Sequence, residues 1–355
     1  MSQMNWDREV DVLVVGTGNG GLTAAVCDWE MGTKDVLIIE KQDKVGGTSA
    51  TSGGGIWIPN SHYAKEAGAE DNPQDARAYL MNTLFGEDVP EEMIDIYLEK
   101  SPEMLKFLHD RTDVRYESLA EYPDYYTNME GARAGHRSLE PAPIMASELG
   151  ENWKNMTWTH FMMRMFNRIH FTQVEAHLLM VQLPGWKKLL ARLMWDYIRD
   201  IPWRLKTPIS RRLACGSAGI ARLYLSVLKR EIPLEFNTKM VELIAEGDTV
   251  LGAVIECNGQ RQRVRAVKGV IVASGGYEKN QALREQYLPA PTNTDWSAGN
   301  PANEGDALLA GLELGARLSD TCGHGDIQIN LLSDTCCHKT IKTKQKQSKT
   351  IKNNQ

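Results

Sequence analysis

Residues 10–40 constrain this chain more than any other stretch. Val10 to Val15 is a short, almost wholly apolar run rich in β-branched residues, the pattern of a strand buried on both faces. It leads straight into Gly16-Thr17-Gly18-Asn19-Gly20-Gly21, then an alanine-rich helical stretch closed by Gly32, then a second apolar strand from Asp35 to Ile39 that ends at Glu40. Each part has a physical job. Gly16 permits a tight turn, Gly18 lets a pyrophosphate approach the backbone, and Gly21 lets the helix pack closely on the strand. The helix N-terminus then faces the phosphates, and Glu40 can accept hydrogen bonds from a ribose. The unit predicts a dinucleotide site in an α/β domain, and its spacing leaves NAD and FAD open.

The next segment, residues 41–59, reads KQDKVGGTSATSGGGIWIP. Its glycines and Ser/Thr hydroxyls suit the lining of a second stretch of a long cofactor. A solvated linker would not carry Ile56-Trp57-Ile58, so the expectation is a buried, ligand-lining loop rather than a surface one.

Farther along, residues 71–112 read as helices with Asn72-Pro73 as a start signal. An aromatic group follows, Tyr116 and Tyr122-Pro123-Asp124-Tyr125-Tyr126, which composition alone reads as a packed surface loop. From Trp186 to Ile201 the apolar residues recur at helical spacing with Lys188, Arg192, Asp196 and Arg199 on other faces. Such a helix with basic flanks can lie on a membrane surface; the expectation is that it packs on the core or covers an apolar pocket. Met156, Met162, Met163 and Met165 fit pliable packing near a pocket, and His170 with His177 lacks further ligands for a metal. A helix is expected from Leu213, then an antiparallel meander turning at Asn258-Gly259. Val270 to Gly276 should return to the parallel sheet and meet the cofactor at its carboxyl end.

Composition excludes several classes. The chain has 355 residues, a formal net charge of −6 and 42% hydrophobic residues, enough for two domains with cores and too apolar for disorder. An acidic balance without a basic face argues against nucleic acid as a partner. No apolar run reaches the ~20 residues of a membrane span, and the N-terminus does not read as a secretory signal. The six cysteines are scattered without CxxC pairs and read as reduced thiols of a cytoplasmic protein. From Thr335 to Gln355 there are lysines and no acid, a composition expected to be disordered. Cys322, His324, Cys336, Cys337 and His338 are not expected to form a metal site.

GTGNGGLTAA, IIEKQDKVGGTSATSGGGIWIP, GVIVASGGYEKN and NPANEGDALLAGLELGA together resemble the FAD-dependent 3-ketosteroid dehydrogenases of the fumarate reductase/succinate dehydrogenase flavoprotein group. SGGGIWIP and YPDYYTNMEGARAGHRSLEP bring the resemblance closest to the Δ1-dehydrogenases. The resemblance covers roughly residues 9–320. It implies FAD held by Gly16, Gly18, Gly20, Gly21, Glu40, Lys41, Gly46, Gly47, Thr48, Ser49, Ser52, Gly53, Gly54, Ala273, Gly275 and Asp306. It also implies oxidation of a 3-ketosteroid at C1–C2, hydride passing to flavin and a proton to a tyrosine base, with an electron acceptor downstream. Tyr125 corresponds to the tyrosine that supports that base. The family's second active-site tyrosine and its ketone-polarising segment have no counterpart here, so turnover by this chain is in question. Cys215 stands where relatives usually carry glycine.

The expected architecture is a Rossmann-like FAD-binding domain over residues 1–279, with a β-meander and a helical, cap-like stretch at 150–210. The start of a truncated catalytic domain follows at 280–320, then an atypical tail at 321–355. Peripheral membrane contact remains compatible with the sequence and integral insertion does not. The alternatives are a Δ4-(5α)-ketosteroid dehydrogenase, a fumarate-type reductase, or an FAD-binding fragment without turnover.

Overall fold

The computed structural model describes residues 5–84 and 89–316. The expectations for the tail and for its Cys/His group lie outside these residues. Six strands form the central sheet: β1 (Arg8–Val15), β2 (Val36–Ile39), β3 (Leu234–Glu235), β4 (Thr238–Glu246), β5 (Thr249–Cys257) and β6 (Gln260–Val272), in the order β3-β2-β1-β6-β5-β4. β3, β2, β1 and β6 run parallel, and β4, β5 and β6 form an antiparallel meander. The β5–β6 turn falls at Asn258 and Gly259, both at positive φ (51° and 78°), as a two-residue hairpin requires.

The period of two in β1 divides its residues between two cores. Val12 and Val14 enter one cluster with Val36 and Ile38 of β2, while Leu13 and Val15 enter the other with Leu37 and Ile39. Both strands are therefore covered on both faces, which is why their sequences are continuous apolar runs instead of alternating ones. The first face is covered by α1 (Asn19–Glu30), through Leu22, Ala25 and Val26, and by the long buried helix Cys215–Lys229. The second face packs against the meander and against Ala310 of the helix Asp306–Glu313.

A small three-stranded sheet joins the two segments that carry the narrower resemblance. Ile56–Trp57 pairs with Ser138–Pro141, which pairs with Tyr116–Ser118. The stretch at 150–210 holds the helices Gln173–Met180, Trp186–Arg199 and Ile201–Arg204, with a cluster of its own around Ile169, Leu189 and Leu193. Helices Pro73–Thr83 and Glu91–Arg111 match the expectation for 71–112, with Asn72 capping the first through its side chain.

Candidate functional site

At the carboxyl ends of β1, β2 and β6 the structure opens a cleft of about 500 Å³. This is where an open parallel sheet offers its ligand crevice. Its first wall is the β1–α1 turn. Gly16 has φ +101°, and a Cβ there would lie 2.4 Å from the carbonyl oxygen of Ala273, so only glycine lets β1 and β6 close together at this point. Gly21, expected to hold FAD, does not line the cleft: its Cβ would sit 2.1 Å from the Gly16 carbonyl oxygen, so the close approach of helix to turn leaves no room for a side chain. Gly18 and Gly20 line the cleft, and a Cβ there would make only ordinary contact, with Ser49 Oγ at 3.4 Å and Ala273 Cβ at 3.8 Å. Helix α1 begins at Asn19 with no side-chain cap. Ser49 Oγ accepts the Asn19 N–H at 3.1 Å, and the turn is otherwise open to an anion.

Glu40 closes the end of β2. Its carboxylate is buried and accepts the Thr17 N–H at 3.1 Å, the Gln42 N–H at 3.0 Å and the Thr17 hydroxyl. The Gly46 N–H donates in turn to Thr17 Oγ1 at 3.2 Å. The acid is thereby locked to the glycine turn on one side and to the 41–59 loop on the other. Lys41 bridges to Asp306 at 2.6 Å, which ties the rim of the cleft to the last described helix.

The 41–59 loop forms the second wall. Gly47, Thr48, Ser49, Ser52 and Gly54 line the cleft, whereas Gly46 and Gly53 stand behind it. Thr48 Oγ1 receives the Asn300 N–H and Asn303 Nδ2, both at 2.9 Å, and Asn303 Nδ2 also donates to Glu278 at 2.7 Å. Gly54 has φ +71°, and its Cβ would meet Gly216 N at 2.6 Å, so the loop lies directly on the N-terminus of helix Cys215–Lys229. Ile58 is buried and Ile56 and Trp57 are half-buried, as expected for a lining loop. Ala273 and Gly275 complete the floor at the end of β6, with Asp306 above them.

Several lining residues escaped the sequence reading: Asn19, Gly216, Gly219, Glu278, Asn303 and the β4 residue Lys239. For Asn303 the signal was available in the quoted NPANEGD segment. Gly216 and Gly219 lie on a helix that reads as ordinary core. Tyr116 also lines the cleft, its phenol pushed up to about 12 by burial. The nearby Cys215 thiol is likewise pushed up to about 12 by burial, and its Sγ donates to the Phe171 carbonyl at 3.3 Å. Cys215 has φ +55°, a left-handed conformation in which a glycine would be unstrained.

Tyr125 is not among the cleft residues. It is 67% exposed, with its ring centre 6.4 Å from that of Tyr122. Burial and its hydrogen bond with Tyr125 push the Tyr122 phenol up to about 12. The backbone of this loop is nevertheless firmly held. Asp124, buried, accepts Trp57 Nε1 at 2.7 Å, Arg137 at 2.8 Å and the Arg133 N–H at 2.9 Å. Arg137 also grips Asp71 with two bonds at 2.9 and 3.0 Å. Among the described residues no group of three or more His, Cys, Asp or Glu could hold a metal, and no helix is long and apolar enough to cross a membrane.

The glycine turn on the cleft, the helix start without a side-chain cap from Gly18 and the anchored acid are the parts a flavin adenine dinucleotide needs, and Gly18 and Gly20 both line the cleft. The FAD binding domain family matches residues 11–324, and the chain belongs to it. Within it, the chain is 34% identical to the 3-oxosteroid 1-dehydrogenase of Mycobacterium tuberculosis over 88% of this chain and 55% of that one. Its identity to the 3-oxosteroid 1-dehydrogenase of Comamonas testosteroni is also 34%, over 86% and 53%. The structure superposes with a TM-score of 0.83 and 38% identity on 3-ketosteroid Δ1-dehydrogenase from Sterolibacterium denitrificans in complex with 1,4-androstadiene-3,17-dione, over 88% of this chain and 56% of that one. The chain thus spans about half the length of the relatives it matches. It is an FAD-binding chain related to the 3-ketosteroid dehydrogenases.

Proposed function

We propose that this chain is the flavin-binding portion of a 3-ketosteroid Δ1-dehydrogenase, with a steroid ketone as substrate and a separate electron acceptor. The observation that carries the reading is the union of the SGGGIWIP segment and the YPDYY loop. One buried Trp57–Asp124–Arg137 network joins them beside the FAD cleft. The three relatives described above support the substrate class.

FAD, when bound, supplies the hydride acceptor. The chain's own residues bind and orient it. The α1 turn would hold the pyrophosphate, Glu40 the ribose, and Thr48, Ser49 and Asn303 the next stretch. Glu278 and Lys41–Asp306 fix the rim. Asp124 and Arg137 hold the tyrosine loop in place, where Tyr125 would support the base that takes the C2 proton. In this reading residues 1–279 are the FAD-binding domain and residues from 280 begin a catalytic domain.

A second reading, FAD binding without turnover, is supported by the exposure of Tyr125 outside the cleft. An anaerobic titration with a 3-ketosteroid, following flavin absorbance, separates the two. Bleaching supports the dehydrogenase. A chain that stays yellow supports binding alone, and a chain that never takes up flavin refutes both.

A further inference from the structure

The loop that forms the second wall of the cleft is held at three successive carbonyls. The His160 N–H donates to the Thr51 carbonyl at 3.0 Å, and the Gly216 N–H donates to the Ser52 carbonyl at 3.0 Å. Gln173 Nε2 donates to the Gly53 carbonyl at 3.3 Å. The next three residues, Gly54, Gly55 and Ile56, line the cleft. Two of the three donors are main chain. The third is a side chain from the helical stretch at 150–210, and it lies close along the loop: Gln173 Nε2 would be 3.6 Å from a Cβ at Gly53 and 3.2 Å from one at Gly55.

A buried carboxylate keeps Gln173 in place. Glu140, fully buried on the strand Ser138–Pro141, accepts the Gln173 N–H at 2.6 Å and the Val174 N–H at 3.4 Å. Thr172 Oγ1 accepts the Glu175 N–H at 3.1 Å, and the Glu175 carboxylate accepts the Thr172 N–H at 3.0 Å. The N–H groups at the start of helix Gln173–Met180 are therefore satisfied by side chains, and the backbone from which the Gln173 side chain departs is fixed. The residue before Glu140, Leu139, pairs with Ile56. One strand thus supports both the end of the cofactor loop and the helix that holds its Gly53 carbonyl.

We infer that Gln173 is a positioning residue for the flavin half of FAD, its amide setting the Gly54–Ile56 wall, and that Glu140 acts through it. The inference rests on the placement of the adenosine end at Glu40 and the α1 turn, which leaves the second wall to the rest of the cofactor. It makes the helical stretch at 150–210 part of the cofactor site, although Gln173 itself does not line the cleft.

The test is calorimetric titration of the full chain with FAD and, separately, with ADP, which carries the adenosine end and the phosphates but no flavin. Gln173→Met keeps the length of the side chain and removes its donor. It should raise the Kd for FAD roughly three- to tenfold and leave the Kd for ADP within about twofold of the parent. Gln173→Glu turns an oxygen towards the Gly53 carbonyl and should raise the Kd for FAD further. Neither change touches the backbone bonds of the helix start, so melting of the apoprotein should stay near that of the parent. Glu140→Gln should weaken FAD binding too, and combined with Gln173→Met it should weaken it by less than the product of the separate effects. An FAD Kd within about twofold of the parent for both Gln173 variants would overturn the inference. So would equal weakening of FAD and ADP, which would make Gln173 a structural residue only. Independent effects at the two positions would overturn the part given to Glu140. A parent chain that binds ADP but not FAD would overturn the placement of the cofactor, and the inference with it.

Discussion

Replacing Gly18 and Gly21 separately by alanine distinguishes a glycine kept for a ligand from a glycine kept for the fold. At Gly18 φ is −68°, an ordinary value, and the added methyl would contact only Ser49 Oγ at 3.4 Å. The cost to the protein without cofactor is that of a poorer helix cap, no more than about 1 kcal/mol. That same methyl enters the space through which the pyrophosphate must approach the α1 turn. Losing one charge-assisted backbone hydrogen bond costs about 1.5–3 kcal/mol, equivalent to roughly a 10- to 150-fold rise in the Kd for FAD. At Gly21 the methyl would lie 2.1 Å from the Gly16 carbonyl oxygen. Main chain must then move, at about 1–3 kcal/mol or more, before any ligand is considered. The assay pairs thermal melts of the apoprotein with calorimetric titration of FAD. Gly18→Ala should melt close to the parent and bind FAD far more weakly, whereas Gly21→Ala should melt early. If Gly18→Ala binds FAD within twofold of the parent, the phosphate is not where the turn implies. If both variants lose the same stability, the division between the two glycines is wrong.

Three further outcomes follow from buried groups. Arg137→Met takes the cation from the buried Asp124 carboxylate and the nearer of two from Asp71, which keeps Arg133 at 3.5 Å, and should cost about 3–5 kcal/mol in denaturant unfolding; a loss below 1 kcal/mol would show the network to be incidental. Burial, with Arg164 and Arg212 nearby, lowers the pKa of His170 from 6.5 to about 3. The unfolded chain therefore takes up a proton that the folded chain refuses, and stability falls as pH drops from 6.5 towards 3, by about 1.4 kcal/mol per unit. His170→Gln should flatten that slope in melts across the window, and an unchanged slope would refute the assignment. The Cys215 thiol, buried and pushed up to about 12, should resist alkylation at pH 8 in the folded chain and react after unfolding, as read by mass spectrometry.

What the sequence revealed of this site follows the distance over which each part is assembled. The β1–α1–β2 unit is contiguous, so Gly16, Gly18, Gly20 and Glu40 could be given roles from spacing alone. The structure places each on the cleft, with Gly21 behind them as a packing residue. The return of Val270–Val272 to the sheet was legible for a similar reason, since an unbroken apolar run ending in glycines suits only a strand covered on both faces. The second wall was harder to see. Gly216 approaches the loop because a Cβ there would lie 2.1 Å from the Ser49 carbonyl oxygen, a contact between segments far apart in the chain that leaves no periodic trace. The same holds for Asp124: beside three tyrosines it draws attention to the phenols, yet its own carboxylate, bonded to Trp57 and Arg137, is the buried group that fixes the loop. Tyr125 owes its place in the sequence reading to resemblance, and its exposure shows what resemblance omits. A side chain's neighbour in sequence can be rigidly anchored while the side chain itself faces solvent. Chemistry at Tyr125 therefore depends on what covers it, whereas FAD binding depends on contacts within the described chain.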